Sequence, residues 1–262
     1  MKAVLSLIWQ YFKKLDKQLY LAVLILGLFS VVLLYSIVQN GIIASVSPRT
    51  YKIQFISLIL GSICALVLSG IDYKMIAKLW FLYVPAALIL VLLLFSPLGI
   101  QREGVDDIGW LDIGFTTVQP SEFLKIAFIL SFSYHLSKVY EHINRLSTVA
   151  LLCLHGAFPV LLIGVTGDTG TAIVFFVIFA AMLFSAGISW KYILAALISA
   201  PLAGLFLWFK ILKPVHKKRI LILFDNDLDP DMFQQQRQGK IALGSGQLFG
   251  KGLFGGEYSY VP

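Results

Sequence analysis

Residues 18–38 read QLYLAVLILGLFSVVLLYSIV and contain no charged side chain. A helix needs about 20 mostly apolar residues to cross the hydrocarbon core of a bilayer, and this run is long enough. Six further apolar runs follow, at about 53–70, 79–97, 121–137, 147–165, 170–187 and 190–211. The runs are continuous and do not alternate, which excludes a closed β-barrel. The sequence therefore predicts an all-α polytopic membrane protein with about seven transmembrane helices.

The composition excludes the other broad classes of protein. Hydrophobic residues make up 58% of the 262 residues, and charged residues only 13%. Soluble domains are nearer one half apolar and about one quarter charged, so this chain cannot cover a soluble surface. The aromatic content of 14% excludes a disordered chain. The net charge of +7 is explained by basic segments at a membrane surface rather than by nucleic-acid binding.

The basic residues are distributed unevenly among the segments between the apolar runs. With the N-terminus inside, most of them fall in the inner segments, whereas the short outer loops carry Arg49, Lys52 and Arg102. Cytoplasmic loops carry an excess of lysine and arginine, so this pattern predicts a cytoplasmic N-terminus. The chain then divides into a seven-span transmembrane bundle, 1–211, and an extracytoplasmic basic, glycine-rich loop, 212–262.

The link between the third and fourth runs leads into a first group of candidate functional residues. The group consists of Trp110, Gln119, Pro120, Ser121, Glu122 and Lys125. Proline suits the first turn of a helix, and Glu122 and Lys125 are spaced to share one helical face. Ionisable residues in a span are usually paired and face the bundle interior, which predicts an inward-facing intramembrane pair. The alternative is a structural ion pair that only pins the helix.

Asp168 lies between the fifth and sixth runs, directly before Thr169, Gly170 and Thr171. Its carboxylate is placed to cap the following helix by accepting hydrogen bonds from backbone N–H groups. The alternative interpretation is an acidic group in a substrate cavity, and the sequence leaves both open.

The segment after the last run is rich in cations. Lys217, Lys218, Arg219 and Lys240 are the candidates for an anion-binding surface at the outer leaflet, and the alternative is a solvated basic loop. The acidic run 225–231 lacks the glycine and glutamate of a calcium loop, so we predict no metal site there. The histidines in the apolar runs, His135 and His155, have no paired metal-ligand spacing and are predicted to be satisfied residues of the bundle.

These stretches together resemble the SEDS family (shape, elongation, division and sporulation), which includes RodA and FtsW. The resemblance rests on Trp110-Leu111-Asp112-Ile113-Gly114, Gln119-Pro120-Ser121-Glu122 with Lys125, Asp168-Thr169-Gly170-Thr171, Lys240-Ile241-Ala242, Gly244-Ser245-Gly246 and Gly250-Lys251-Gly252. It implies a ten-span fold in the bacterial cytoplasmic membrane and a peptidoglycan glycosyltransferase that polymerises lipid II. It also implies a class B penicillin-binding protein as partner. Lipid II flipping and a non-catalytic scaffold role are the alternatives.

The chain departs from the family pattern in three places. Gly109 stands where the family commonly has arginine, and Thr166 and Gly167 replace a Gln-Pro pair. The family's proposed catalytic aspartate follows the Val-Pro sequence with which this chain ends at Pro262, so the catalytic residue is unknown. The resemblance thus implies the N-terminal two thirds of a SEDS protein, inactive by itself. It implies no cofactor, although a divalent cation can accompany the pyrophosphate substrate. The sequence does not decide the oligomeric state or the role in elongation, division or sporulation.

The predicted orientation is tested by cysteine labelling in a background without Cys64 and Cys153. A cysteine at position 240 is expected to react with an impermeant maleimide in intact cells, because residues 212–262 are predicted to lie outside. A cysteine at position 138, on the predicted inner side, is the matched control and should react only after permeabilisation. The opposite pattern would show that the orientation is inverted.

Overall fold

The fold of the protein was examined in a computed structural model, which describes residues 16–39, 47–101, 107–114, 116–212, 214–222, 224–225 and 230–254. Helices dominate these residues. They are α1 (Lys17–Gln39), α2 (Arg49–Ser69), α3 (Tyr73–Lys78), α4 (Trp80–Leu92), α5 (Pro120–Val139), α6 (Leu146–Val165), α7 (Thr169–Ser185), α8 (Trp190–Phe206), α9 (Pro214–Leu221) and α10 (Pro230–Gly246). A 3-10 turn, Leu93–Phe95, extends α4, and a π-helical turn, Leu207–Ile211, extends α8.

Every predicted apolar run coincides with a helix, which confirms the predicted fold class. Among the described residues, four helical segments are long and apolar enough to cross a membrane: α1, α2, α6 and Trp190–Lys210, which contains α8. Two further apolar helical segments, Trp80–Phe95 with α4 and Thr169–Ser185, which is α7, are shorter than these four. Charged and polar side chains, including Glu122, Lys125 and Lys138, lower the hydropathy of α5.

The chain forms two compact units, and their boundaries differ from the predicted division at residue 212. One unit combines Met1–Gly70 with Leu202–Pro262, and the other is the continuous segment Ile71–Pro201. The second unit has a hydrophobic core built from α4, α5, α6 and α7. Its most deeply buried side chains include Val91, Phe132, Leu152, Ile163 and Phe175.

A small antiparallel sheet interrupts the helices between α4 and α5. Its strands are β1 (Gly99–Ile100), β2 (Trp110–Asp112) and β3 (Thr117–Val118), in that order. In β2, Leu111 is buried, whereas Asp112 is exposed, as expected for side chains that alternate across a strand. The hydropathy pattern does not predict this sheet, because its strands are shorter than any apolar run.

The segment predicted as a basic, glycine-rich loop contains two helices, α9 and α10. Three glycines of the predicted loop, at 239, 244 and 246, are helical positions of α10. Glycine disfavours a helix by about 1 kcal/mol relative to alanine, but the neighbouring glutamine, lysine, alanine and leucine residues favour one. The segment predicted as an extracytoplasmic loop therefore contains helical structure at these residues.

Glycine permits close contact between α6 and α7. A Cβ atom at Gly156 would collide with the ring of Phe179. Gly164, further along the same helix, has no neighbouring atom within 4 Å of such a position. The two glycines of one helix thus have different roles, and only Gly156 is required for packing.

We expect Gly156→Ala to lower the free energy of unfolding by about 1–3 kcal/mol, since it overpacks the α6–α7 contact. Gly164→Ala is the matched control and should be neutral or stabilising by up to about 1 kcal/mol, since alanine favours a helix. Thermal unfolding of the purified variants in one detergent measures both. Equal stability of the two variants would mean that Phe179 moves aside without cost.

Candidate functional site

The sheet is connected to the turn between α6 and α7 by a backbone hydrogen bond. The N–H of Ile108 donates to the carbonyl of Thr166 at 3.1 Å. Thr166 is buried, and its hydroxyl donates to the carbonyl of Ile163 in the last turn of α6. The segment that leads to Trp110 is therefore held against the end of α6.

Asp168 caps α7, as one of the two predictions for this residue proposes. One carboxylate oxygen, Oδ1, accepts a hydrogen bond from the backbone N–H of Thr171 at 2.8 Å. The other oxygen, Oδ2, accepts from the side-chain amide of Gln119 at 3.4 Å, which is a long contact. Asp168 therefore joins the two motif stretches that precede α5 and α7.

Gln119 leads directly into the buried N-terminus of α5. Pro120 is the first residue of the helix, and its side chain is fully buried. Ser121 is only 3% exposed, and its hydroxyl has no hydrogen-bond partner among the residues that the structure describes. A buried hydroxyl without a partner is uncommon in folded proteins. Ser121 therefore offers an unused hydrogen-bonding group close in sequence to Gln119.

The predicted ion pair of α5 forms, and Lys125 is 22% exposed. Lys125 Nζ lies 2.8 Å from Glu122 Oε1, and the side chain of Glu122 is 56% exposed. The buried face of the helix contains Pro120, Ser121 and Leu124, and Glu122 is two positions from both Pro120 and Leu124, about 200° around the helix. An exposed pair contributes about 0–1 kcal/mol, well below the 3–5 kcal/mol expected for breaking a buried one.

The candidate anion-binding residues are distributed over two helices. Lys217, Lys218 and Arg219 are consecutive in α9, and Lys240 lies in α10. Successive helical positions differ by about 100°, so the three cations of α9 do not share one face. The ammonium group of Lys217 lies 6.0 Å from the ring centre of Trp208, within reach of a cation–π contact. Lys218, Arg219 and Lys240 are exposed, and their role in anion binding stays a prediction.

His135 and His155 are satisfied residues of the bundle, as predicted, and each is a partner of the other. His135 Nδ1 and His155 Nδ1 lie 3.1 Å apart, and His155 Nε2 lies 3.3 Å from Ser131 Oγ. The edge of the His155 ring faces the ring of Phe132, with centroids 5.2 Å apart. The spacing of the two histidines in the sequence is consistent with this contact. Helices α5 and α6 form a hairpin around residue 145, and positions 135 and 155 are equally distant from it.

A sequence model of the FtsW/RodA/SpoVE family, described as cell cycle proteins, matches residues 16–262. The chain belongs to this family. The match covers all three motif stretches, including the two that Gln119 and Asp168 bring together.

Named members of the FtsW/RodA/SpoVE family are similar to the chain at moderate identity. The peptidoglycan glycosyltransferase MrdB of Escherichia coli (strain K12) is 30% identical over 70% of this chain and 49% of its own length. A probable peptidoglycan glycosyltransferase FtsW of Trichlorobacter lovleyi is 30% identical over 94% of this chain and 66% of its own length. The chain thus spans about half to two thirds of the length of the curated relatives it matches.

Solved structures of similar proteins support the FtsW/RodA/SpoVE fold. A chain from a structure on polymerization and crosslinking by a peptidoglycan synthase complex aligns with a TM-score of 0.64 and 26% identity. That alignment covers 84% of this chain and 63% of the other. RodA of Thermus thermophilus aligns with a TM-score of 0.52 and 25% identity, over 69% of this chain and 58% of RodA.

The departures from the FtsW/RodA/SpoVE pattern cluster around Asp168. Gly167 adopts φ +91°, which a proline at this position could not adopt. A Cβ atom at Gly109 would lie 3.0 Å from Asp107 Oδ2 and 3.9 Å from Asp168 Oδ2. An arginine at position 109 would therefore begin beside two carboxylates, and this chain has no side chain there.

The capping role of Asp168 can be separated from its charge. Asp168→Ala is expected to lower the free energy of unfolding by about 0.5–2 kcal/mol, because the Thr171 N–H loses its acceptor. Asp168→Asn should stay near the wild type, since asparagine caps about as well as aspartate. Thermal unfolding in detergent measures both variants.

A matched control is Asp72→Ala, which removes the cap that Asp72 gives to Lys74 N–H at the start of α3. It should show a similar loss of stability at a position outside the motif stretches. If Asp168→Asn is as unstable as Asp168→Ala, the negative charge and not the cap stabilises the turn.

Proposed function

We propose that this protein is a peptidoglycan glycosyltransferase of the SEDS type, which polymerises lipid II into glycan strands. The observation that carries the proposal is the contact between Gln119 and Asp168, because it unites two stretches of the family pattern at one place. The names of its relatives, peptidoglycan glycosyltransferases MrdB and FtsW, give the reaction class.

The chemistry of this reaction requires two kinds of group. The pyrophosphate of the donor needs cations, for which Lys217, Lys218, Arg219 and Lys240 are the proposed source, with arginine favoured for bidentate contacts. The acceptor hydroxyl needs a carboxylate as general base. We propose Asp168 as a substrate-binding or positioning residue and assign the role of general base to no residue of this chain. A divalent cation that accompanies the pyrophosphate is part of the proposal.

Glycan polymerisation is favoured over lipid II flipping by the position of Glu122. A flippase needs a polar route through the bundle, with Glu122, Lys125 and Asp168 facing one cavity. Glu122 lies on the exposed side of α5, whereas Ser121 is buried, so Glu122 and Ser121 do not face one cavity among the residues that the structure describes.

The proposed setting is the bacterial cytoplasmic membrane, with the N-terminus in the cytoplasm and residues 212–262 outside. A class B penicillin-binding protein is the proposed partner. The similarity to a chain from a peptidoglycan synthase complex supports a partner of this kind, since polymerised strands are the substrate of crosslinking.

The proposal is tested with the purified full-length form of the protein and fluorescent lipid II, with products resolved as glycan ladders on a gel. A ladder is expected in the presence of moenomycin, which blocks the classical transglycosylases. Asp168→Asn, which retains the cap, is expected to reduce polymerisation by about 10–100-fold, the value of a hydrogen bond to a charged group.

Two results would contradict the proposal. Transfer of lipid II between bilayer leaflets without a ladder would identify a flippase. Retained binding of the penicillin-binding protein without either activity would identify a scaffold. Lys138→Gln, at the predicted inner end of α5, is the control and should leave the ladder unchanged.

A further inference from the structure

Helices α1 and α2 pack as an antiparallel hairpin that opens into a groove at one end. A Cβ atom at Gly27 would collide with Leu58, so the helices are in close contact there. One helical turn further on, the Gln54 amide donates to Ser30 Oγ at 3.4 Å. Beyond this point lies a groove of about 500 Å³ between Val31 and Val32 of α1 and Phe55 and Ile56 of α2.

The groove is the size of a ligand site and has an apolar wall. Its volume falls within the range of about 300–1,000 Å³ that is usual for small-molecule pockets. Tyr35, Tyr51 and Lys52 complete its lining and lie near the C-terminal end of α1 and in the first turn of α2. Both helices are long and apolar enough to cross a membrane, so this end of the groove lies at a bilayer boundary.

The polar end of the groove is held in place by the segment that follows α10. The backbone N–H of Phe254 donates to the buried hydroxyl of Ser36 at 3.1 Å. The ring of Tyr35 packs edge-on against Phe254 and against Tyr51, with centroid distances of 6.4 and 5.4 Å. The two tyrosines therefore have fixed positions at the mouth of the groove.

Neither helix supplies an acidic side chain near Lys52, since neither α1 nor α2 contains an aspartate or a glutamate. Arg49 and Lys52 are three residues apart in α2 and so lie on one face. Lys52 is exposed and forms no ion pair among the described residues. A lysine at a helix end extends its ammonium group to the level of the lipid head groups.

We propose that this groove binds one acyl chain of an anionic phospholipid, with the phosphate of its head group at Lys52. The apolar wall accepts the chain, the tyrosines lie at the head-group level where aromatic residues are favoured, and the cation selects a negatively charged head group. This inference does not depend on the proposed glycosyltransferase activity.

The test measures binding of phosphatidylglycerol and of phosphatidylcholine with identical acyl chains to the purified native protein, by native mass spectrometry in detergent. The wild type is expected to bind phosphatidylglycerol about five-fold more tightly than phosphatidylcholine. Lys52→Gln should abolish this preference, since one lysine near an anionic head group accounts for a factor of this size. Lys17→Gln, at the opposite end of the same hairpin, is the matched control and should retain the preference.

A second pair of variants tests the groove itself. Ile56→Trp fills the groove and should reduce binding of both lipids. Ile59→Trp is a substitution at another exposed isoleucine of the same helix, which does not line the groove, and should not reduce binding. The inference is wrong if the wild type binds both lipids equally, or if Lys52→Gln binds phosphatidylglycerol like the wild type. It is also wrong if a copurifying membrane protein, and no lipid, occupies the groove.

Discussion

The carboxylate of Asp168 is the group on which the candidate site depends. One of its oxygens satisfies a backbone N–H at the start of α7, and the other receives the amide of Gln119. The first turn of a helix has N–H groups without intrahelical partners, so a side chain at this position stabilises the helix whatever else it does. The carboxylate of Asp168 thus stabilises α7 and can also bind a ligand, since its contact with the Gln119 amide is long and easily exchanged for one.

The packing around His135 and His155 supports the helices α6 and α7, which the turn at Asp168 connects. In the core unit, the rings of Phe128, Phe132 and His155 contact one another at centroid distances of 5.2–5.9 Å. Gly156 follows His155 and allows α7 to approach through Phe179. Aromatic contacts and a satisfied polar pair thus occupy the middle of the bundle, and hydrogen bonds such as Gln119–Asp168 and Ile108–Thr166 hold the polar groups near its end.

The charges of the protein are concentrated at helix ends and on exposed faces, which is where a bilayer tolerates them. Lys52 lies in the first turn of α2, and the Glu122–Lys125 pair lies near the start of α5. The cations proposed to bind pyrophosphate lie on α9 and α10, helices of low hydropathy. A negatively charged lipid substrate and a negatively charged phospholipid would therefore meet cations on different elements of the chain.

Local interactions in this protein follow from the sequence. The apolar runs gave the positions of seven helices, because continuous apolar runs in lipid must satisfy their backbone groups within a helix. The cap at Asp168 and the ion pair of Glu122 with Lys125 span only three residues each, so sequence spacing was sufficient to predict them. Packing set the buried face of α5, on which Ser121 and Leu124 lie, whereas Glu122 is 56% exposed.

The contacts that define the site were decided by the tertiary structure. Gln119 meets Asp168 across 49 residues, and, outside the site, Phe254 meets Ser36 across 218. No residue type or spacing specifies such pairs, because each depends on which helices become neighbours and at what register. The sequence determined that this chain crosses a membrane as helices and belongs with a family of cell-wall proteins. Only the packing of those helices determined which polar groups come together, since that choice depends on side-chain shape over the whole bundle.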